Sequence, residues 1–195
     1  MAKWNKKREV IQHYNSLAPV YDAQYGEEQD AKIRAALSST NLKKGSLVLD
    51  AGCGTGLLFK HLGSSVKLLV GLDMSPRIPK EAKKHTKQLP AIAVMCADAD
   101  FTPFPNSLFD ATFAITLLQN VPDPLMTLRE MKRVSKDRAF IVTTGLKKEF
   151  SQEAFVKLLQ RAGLVVSVMK SGGELRGHVA VCRKGRKHLK ERFGS

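Results

Sequence analysis

Short apolar runs recur along the chain at Leu47–Asp50, Leu68–Leu72, Ala91–Cys96, Ala111–Thr116, Ala139–Thr143, Val165–Met169 and Val179–Cys182. They are nearly continuous rather than alternating, as in strands covered on both faces. Between them lie segments with helical spacing or helix-favouring composition: Leu57–Leu62, Pro79–Thr86, Pro124–Val134 and Glu153–Ala162. Strands alternating with helices predict right-handed crossovers and an α/β fold: a doubly wound, mostly parallel seven-stranded sheet with helices on both faces. The last two runs are joined by Lys170–Gly177, too short for a crossover helix and rich in glycine. That connection predicts a hairpin and an antiparallel last strand.

This organisation divides the chain into three parts. Residues 1–42 precede the first strand and read as helical, with Ile33, Ala36 and Leu37 as apolar positions in the second half. Residues 43–183 hold the strands. Residues 184–195 read as a basic tail, loose or weakly helical. A length of 195 residues suits one domain. No stretch approaches the ~20 apolar residues of a membrane span, and the polar, basic run Met1–Glu9 does not resemble a secretory signal. The expectation is a cytoplasmic protein without membrane insertion. Cys53, Cys96 and Cys182 lie far apart without CxxC pairing, so reduced, mostly buried thiols are expected in place of disulfides or a metal site.

Charge changes the picture. A formal net charge of +14 favours a polyanionic partner. The excess concentrates in residues 170–195 and in Arg77–Gln88, where the only acids are Glu174 and Glu191 in the first and Glu81 in the second. RNA, DNA and an anionic membrane surface all suit it, and a merely solvated charged face accounts for it equally well.

The densest local signal is Val48-Leu-Asp-Ala-Gly-Cys-Gly-Thr-Gly56, a strand running into a glycine turn and an amphipathic helix. Gly52, Gly54 and Gly56 permit a tight turn and close approach of a ligand to the backbone. A dinucleotide fingerprint places its third glycine one position later, at Leu57, which argues against NAD. Asp50 inside the motif suits a ligand carrying a positive amino group. Asp73, followed by Met74, closes the second strand, where a carboxylate can take both ribose hydroxyls of an adenosyl group. Asp98, with Ala99 after it, closes the third and can meet an adenine amino group. Any one of these acids reads equally well as a cap or loop residue; the ordered trio at three successive strand ends does not.

With these motifs in place, the sequence resembles the class I S-adenosylmethionine-dependent methyltransferases, particularly the ubiquinone and menaquinone methyltransferase branch. Tyr14-Asn-Ser-Leu-Ala-Pro-Val-Tyr-Asp22 is similar to that branch's N-terminal motif. Phe104–Asp110, Leu117–Pro124 and Leu128–Val134 resemble the run into the fourth strand and the loop and helix after it. The resemblance covers residues 14–182. It implies S-adenosylmethionine as cofactor, with the glycine turn and Asp50 holding the methionine end, Asp73 the ribose, and Asp98 with Ala99 the adenine. Thr116 and Leu117 would line the reacting end, and Tyr14 and Tyr21 would belong to an N-terminal segment covering the cleft. One departure is Ser135-Lys-Asp-Arg138, where relatives carry Lys-Pro-Gly-Gly, so that turn must be built differently.

The branch methylates quinones, small metabolites, tRNA and rRNA, so the acceptor stays open. No Asn-Pro-Pro-aromatic motif follows the fourth strand and no Pro-Cys nucleophile is present. His13 and His178 are the two histidines placed to act as bases, and no catalytic residue is assigned. The positive field and the absence of a large substrate insertion favour a structured RNA, tRNA or rRNA, bound through the tail and Arg77–Gln88 beside the cleft. A quinone-like lipid or other metabolite is the alternative, as are a protein substrate and a cofactor-binding protein without catalysis. The continuously apolar third strand, Ala91–Cys96, is expected at the sheet edge. There a small activator protein could pair with it, as happens in some tRNA and rRNA methyltransferases of similar build.

Overall fold

The computed structural model describes residues 2–17, 20–77, 81–82, 91–173 and 175–185. Seven strands form one sheet: β1 (Leu47–Ala51), β2 (Leu68–Asp73), β3 (Ile92–Cys96), β4 (Phe109–Ala114), β5 (Ser135–Leu146), β6 (Leu164–Lys170) and β7 (Gly177–Lys184). Their order is β3-β2-β1-β4-β5-β7-β6. Pairings from β3 across to β5 are parallel, whereas β7 runs antiparallel to both β5 and β6. The expected doubly wound sheet and antiparallel last strand are both present, and β3 is an edge strand.

Five helices are described: α1 (Ala2–Leu17), α2 (Tyr21–Leu37), α3 (Leu57–Leu62), α4 (Pro124–Val134) and α5 (Gln152–Arg161). Two carry start signals legible in sequence. The Asp123 side chain accepts from the Met126 N–H, with Pro124 in the first turn, and Ser151 accepts from Ala154. The helix expected over Pro79–Thr86 lies almost wholly outside the described residues, as do residues 186–195 of the tail.

Alternation along the buried strands feeds two faces. Val48 packs with Ile33 and Ala36 of α2 and with Leu58, Phe59 and Leu62 of α3. Its neighbour Leu49 packs on the opposite side with Leu72, Phe109 and Val134. That second side continues through Leu128 and Met131 of α4 and Phe155 and Leu159 of α5 onto Ile141 and Ala180. Helix α1 differs: apart from Trp4 its exposed surface is polar, and of its described side chains only Lys7 is buried.

Three sequence expectations need correction. First, β4 ends at Ala114, not Thr116, because Thr116 adopts the left-handed backbone region at φ 59 and cannot continue a strand. Second, Ser135–Arg138 is not a turn. Pairing moves from Phe109↔Ser135 to Ala111↔Phe140, so β5 starts at Ser135 and absorbs the extra residues in a bulge. Buried Ser135 anchors it by donating to the Met131 carbonyl at 2.7 Å. Third, Cys96 is exposed, because β3 has no described neighbour on its outer side, whereas Cys53 and Cys182 are buried as expected.

Candidate cofactor cleft

The carboxyl ends of β1, β2, β3 and β4 open into a cleft of about 830 Å³, part of it solvent, roofed by Lys7, Val10, Ile11 and Tyr14 of α1. A polar alcove of about 370 Å³ adjoins it at the glycine turn. Both sizes suit a small organic ligand.

The turn is built as its glycines require. Gly52, Gly54 and Gly56 all have positive φ, at 70°, 53° and 85°. The Gly52 and Cys53 N–H groups donate to the Leu72 carbonyl at 2.8 and 2.9 Å, which pins the turn to β2. A Cβ at Gly52 would stand 2.8 Å from Leu117, and one at Gly56 2.5 Å from the Phe59 ring. A Cβ at Gly54 would meet nothing within 4 Å, so here the backbone borders open cleft. Gly56 lines neither space; it starts α3 and lets Phe59 pack.

Asp50 is 3% exposed and lines the alcove together with Tyr21, Gln29 and Thr55. Burial, reinforced by the charge of Asp73, pushes its carboxyl up to about 7. Asp73 lines the main cleft, its Oδ2 accepting from the Gly54 N–H at 3.2 Å and its Oδ1 from Ser75 at 2.9 Å. Burial raises its pKa too, while these backbone N–H groups pull the other way. Both acids are thus buried carboxyls that border open space at the ends of β1 and β2. Asp98, Ala99, Met74, Thr116, Leu117, Tyr14 and Tyr21 all line the main cleft. Of the residues expected at the site, Gly56 alone borders neither space.

Asp98 is not free to serve adenine alone. Its Oδ2 accepts from Lys7 Nζ at 2.6 Å, and the same ammonium reaches Asp100 at 2.6 Å. Burial works to lower the Lys7 pKa, but hydrogen bonds and charge from Asp100 and Asp98 outweigh it and hold the ammonium protonated. Lys7, Val10, Ile11 and Tyr14 follow i, i+3, i+4, i+7 spacing, a cleft-facing stripe present in the sequence but masked by the surrounding Lys3, Lys6 and Arg8. Further ties fasten the roof: Lys3 to Asp123 at 2.9 Å, Lys6 to the Val121 carbonyl at 3.4 Å, and Asn120 to the Tyr14 oxygen at 2.8 Å.

Neither candidate base survives. Both His178 ring nitrogens are engaged, by Ser171 Oγ at 2.8 Å and the Phe150 carbonyl at 3.0 Å, and the ring is buried away from the cleft. His13 is exposed on α1 and does not line the cleft. The root of the basic tail is also misplaced by the sequence reading. Because β7 runs antiparallel, Lys184 pairs with Leu164 at the amino end of β6, opposite the cleft. Arg183 there covers the Phe140 ring at 3.6 Å, and Lys184 faces Asp137 at 3.5 Å.

A family model described as a methyltransferase domain matches residues 49–143, from within β1 to within β5. An uncharacterized protein of Methanocaldococcus jannaschii is 33% identical over 139 residues, 71% of this chain and 52% of that protein. The demethylmenaquinone methyltransferase of Staphylococcus saprophyticus is 31% identical over 145 residues, 70% of this chain and 62% of that enzyme. The chain thus spans about half to three fifths of the length of these curated relatives. Among solved structures, the complex of the Haloferax volcanii Trm112 methyltransferase activator with a methyltransferase superposes with TM-score 0.79 at 17% identity, over 89% of this chain and 98% of that one. With its glycine turn and acid-lined cleft, the chain has the Rossmann-like methyltransferase fold of the Haloferax structure, and its residues 49–143 match the methyltransferase-domain model.

Proposed function

We propose that the protein transfers the methyl group of S-adenosylmethionine to a nucleophile of a structured RNA, tRNA or rRNA, in the cytosol. The observation that carries the cofactor half is the convergence of Asp50, Asp73 and Asp98 on one cleft around Gly52 and Gly54. Asp50 takes the cofactor's ammonium, Asp73 its ribose hydroxyls, and Asp98 with Ala99 its adenine. The cofactor supplies an activated sulfonium methyl, so the protein's task is to position the acceptor in line and exclude water. The α1 roof serves the second need, and Thr116 and Leu117 border the acceptor end.

Support for RNA comes from the +14 charge and from the rim of the roof. Lys6 and Arg8 are exposed there, beside Trp4 at 50% and Phe101 at 68% exposure. Cations for phosphates and exposed rings for bases are the usual combination for single-stranded or looped RNA. A second reading, methylation of a quinone-like small molecule, is favoured by the demethylmenaquinone methyltransferase relative. No helix of the described residues is long and apolar enough to cross a membrane.

The partner half concerns β3. Ala91 and Ala97 bond inward to β2, so in this parallel ladder the backbone groups of Ile92, Val94 and Cys96 point outward. Among the described residues none pairs with them. The Haloferax structure holds a small activator on a methyltransferase of this fold, and a partner strand on β3 is the corresponding proposal here.

The test is transfer of labelled methyl from S-adenosylmethionine to total RNA from cells lacking the protein, alone and with a co-expressed partner, against demethylated quinone as competitor acceptor. Label in RNA that nuclease digestion resolves to one modified nucleoside is the expected result. Label in the quinone fraction alone would overturn the RNA reading.

A further inference from the structure

Lys32 is fully buried, 1% exposed, and it lies beside the cleft rather than in it. Its Nζ is held by Glu28 at 2.6 Å one helical turn back and donates to Thr116 Oγ1 at 3.0 Å. Thr116 is engaged at every polar atom. Its N–H donates to Thr144 Oγ1 at 2.7 Å, its carbonyl accepts from Gln119 at 2.7 Å and Asn120 at 2.8 Å, and its hydroxyl donates to Gln29 Oε1 at 2.6 Å. A β-branched residue at positive φ is an uncommon, costly conformation, and such strain persists where surrounding bonds enforce it. The Gln29 amide then donates to the Tyr21 oxygen at 3.3 Å.

These bonds have only one self-consistent direction. An ammonium donates and never accepts, so Thr116 receives from Lys32 and must spend its own proton on Gln29. Flipping Gln29 would put two donors on the Thr116 oxygen and strand the Thr116 proton. Gln29 therefore turns its NH₂ to Tyr21, whose oxygen accepts, leaving the phenol proton for the cleft. Burial raises the Tyr21 pKa, so that proton stays in place. Tyr21 lines the alcove together with Asp50 and the glycine turn, the end where the cofactor reading places the methionine group. There an ammonium on Asp50 leaves a carboxylate as the group in need of a donor.

We propose that Lys32 is a positioning residue for the amino-acid end of the cofactor: through Thr116 and Gln29 it orients the Tyr21 hydroxyl as a donor to the cofactor's carboxylate. Stability alone does not require an ammonium here, since buried ion pairs are often replaceable by packed apolar groups at no net cost. The inference rests on the cofactor reading. It also connects Thr116 at the acceptor end to the alcove, through a side chain that touches neither ligand.

The test is calorimetric binding of S-adenosylhomocysteine and of 5′-methylthioadenosine, which lacks the amino-acid end. Wild type, Lys32→Met, Gln29→Glu, Tyr21→Phe and the two double variants with Tyr21→Phe are compared. Gln29→Glu keeps the shape but places an acceptor against Tyr21, reversing the direction, and it serves should Lys32→Met fail to fold. Each single variant should bind S-adenosylhomocysteine about tenfold more weakly, and the doubles no more weakly than Tyr21→Phe alone. Affinity for 5′-methylthioadenosine should stay within twofold throughout. Unchanged S-adenosylhomocysteine binding in Gln29→Glu, losses that multiply in the doubles, or equal losses for both ligands would overturn the assignment. Failure of wild type to bind S-adenosylhomocysteine would instead contradict the cofactor reading itself.

Discussion

Asp50 concentrates the electrostatic tension of the site, a carboxyl that burial holds at about 7 facing the position assigned to a ligand ammonium. For a raised carboxyl the sign is fixed: the ionised form that an ammonium needs predominates only above about pH 7. Affinity for S-adenosylhomocysteine should therefore be about tenfold weaker at pH 6 than at pH 8. Asp50→Asn should flatten that profile, and 5′-methylthioadenosine should show none. For the ligand-free protein the same group works the other way, since stability falls as pH rises from the unfolded carboxyl range towards about 7. A titration profile for the wild type as flat as that of Asp50→Asn would remove Asp50 from the ammonium site. The acids and glycines of this site were legible because they sit together in short motifs at strand ends. Lys7, Gln29 and Lys32 were not, because each also meets a partner across more than eighty residues of chain. A lysine on a charged helix reads as solvated until the fold places a carboxylate or hydroxyl against it. His178 shows the converse, a histidine beside a strand whose two nitrogens are consumed by structural bonds.

Among the elements, α1 stands apart because polar ties fasten it over the cleft while its apolar side chains Val10 and Ile11 border open space. Lys7 is central, since Asp100 is 4% exposed and would be left without its cation. Breaking a buried pair typically costs ~3–5 kcal/mol. Lys7→Met should accordingly undock α1, seen as faster amide exchange across Ala2–Leu17 with protection of the central strands retained. Unaltered exchange in α1 would show that its docking does not depend on this pair. At α5, Ser151→Ala should lower stability to urea by about 1 kcal/mol through loss of the cap. At β3, Val94→Pro removes an outward N–H without touching the ladder to β2, and should abolish co-purification of a pairing partner while the protein stays folded. Retained co-purification would place the partner elsewhere. Strand and helix identities were readable from hydrophobic period and caps, as Pro124–Val134 shows by matching end to end. The end of β4 was not, because apolar Ile115 extends the pattern while the Thr116 N–H is drawn to Thr144 Oγ1, 28 residues further along the chain.

At the scale of the whole molecule, charge and topology pull the RNA reading apart. The +14 excess is a property of the sequence, but where the cations stand depends on strand direction. The antiparallel β7 carries Arg183 and Lys184 to the end of the sheet opposite the cleft, which no composition count reveals. If RNA is held over the cleft, replacing Lys3, Lys6 and Arg8 with Ala should flatten the salt dependence of RNA binding more than replacing Arg183 and Lys184. For about five phosphate contacts on single-stranded RNA, the wild-type slope of log affinity against log salt should be roughly −3.5. Equal effects of the two sets would place RNA on a broader surface. Methyl transfer at this cleft requires that it hold S-adenosylmethionine, with Asp73 on the ribose. Calorimetry of wild type and Asp73→Ala with S-adenosylmethionine tests that most directly. One saturable site is predicted in wild type, weakened in the variant by ~1.5–3 kcal/mol through lost ribose hydrogen bonds. Undiminished binding in Asp73→Ala, or none in wild type, would contradict the account.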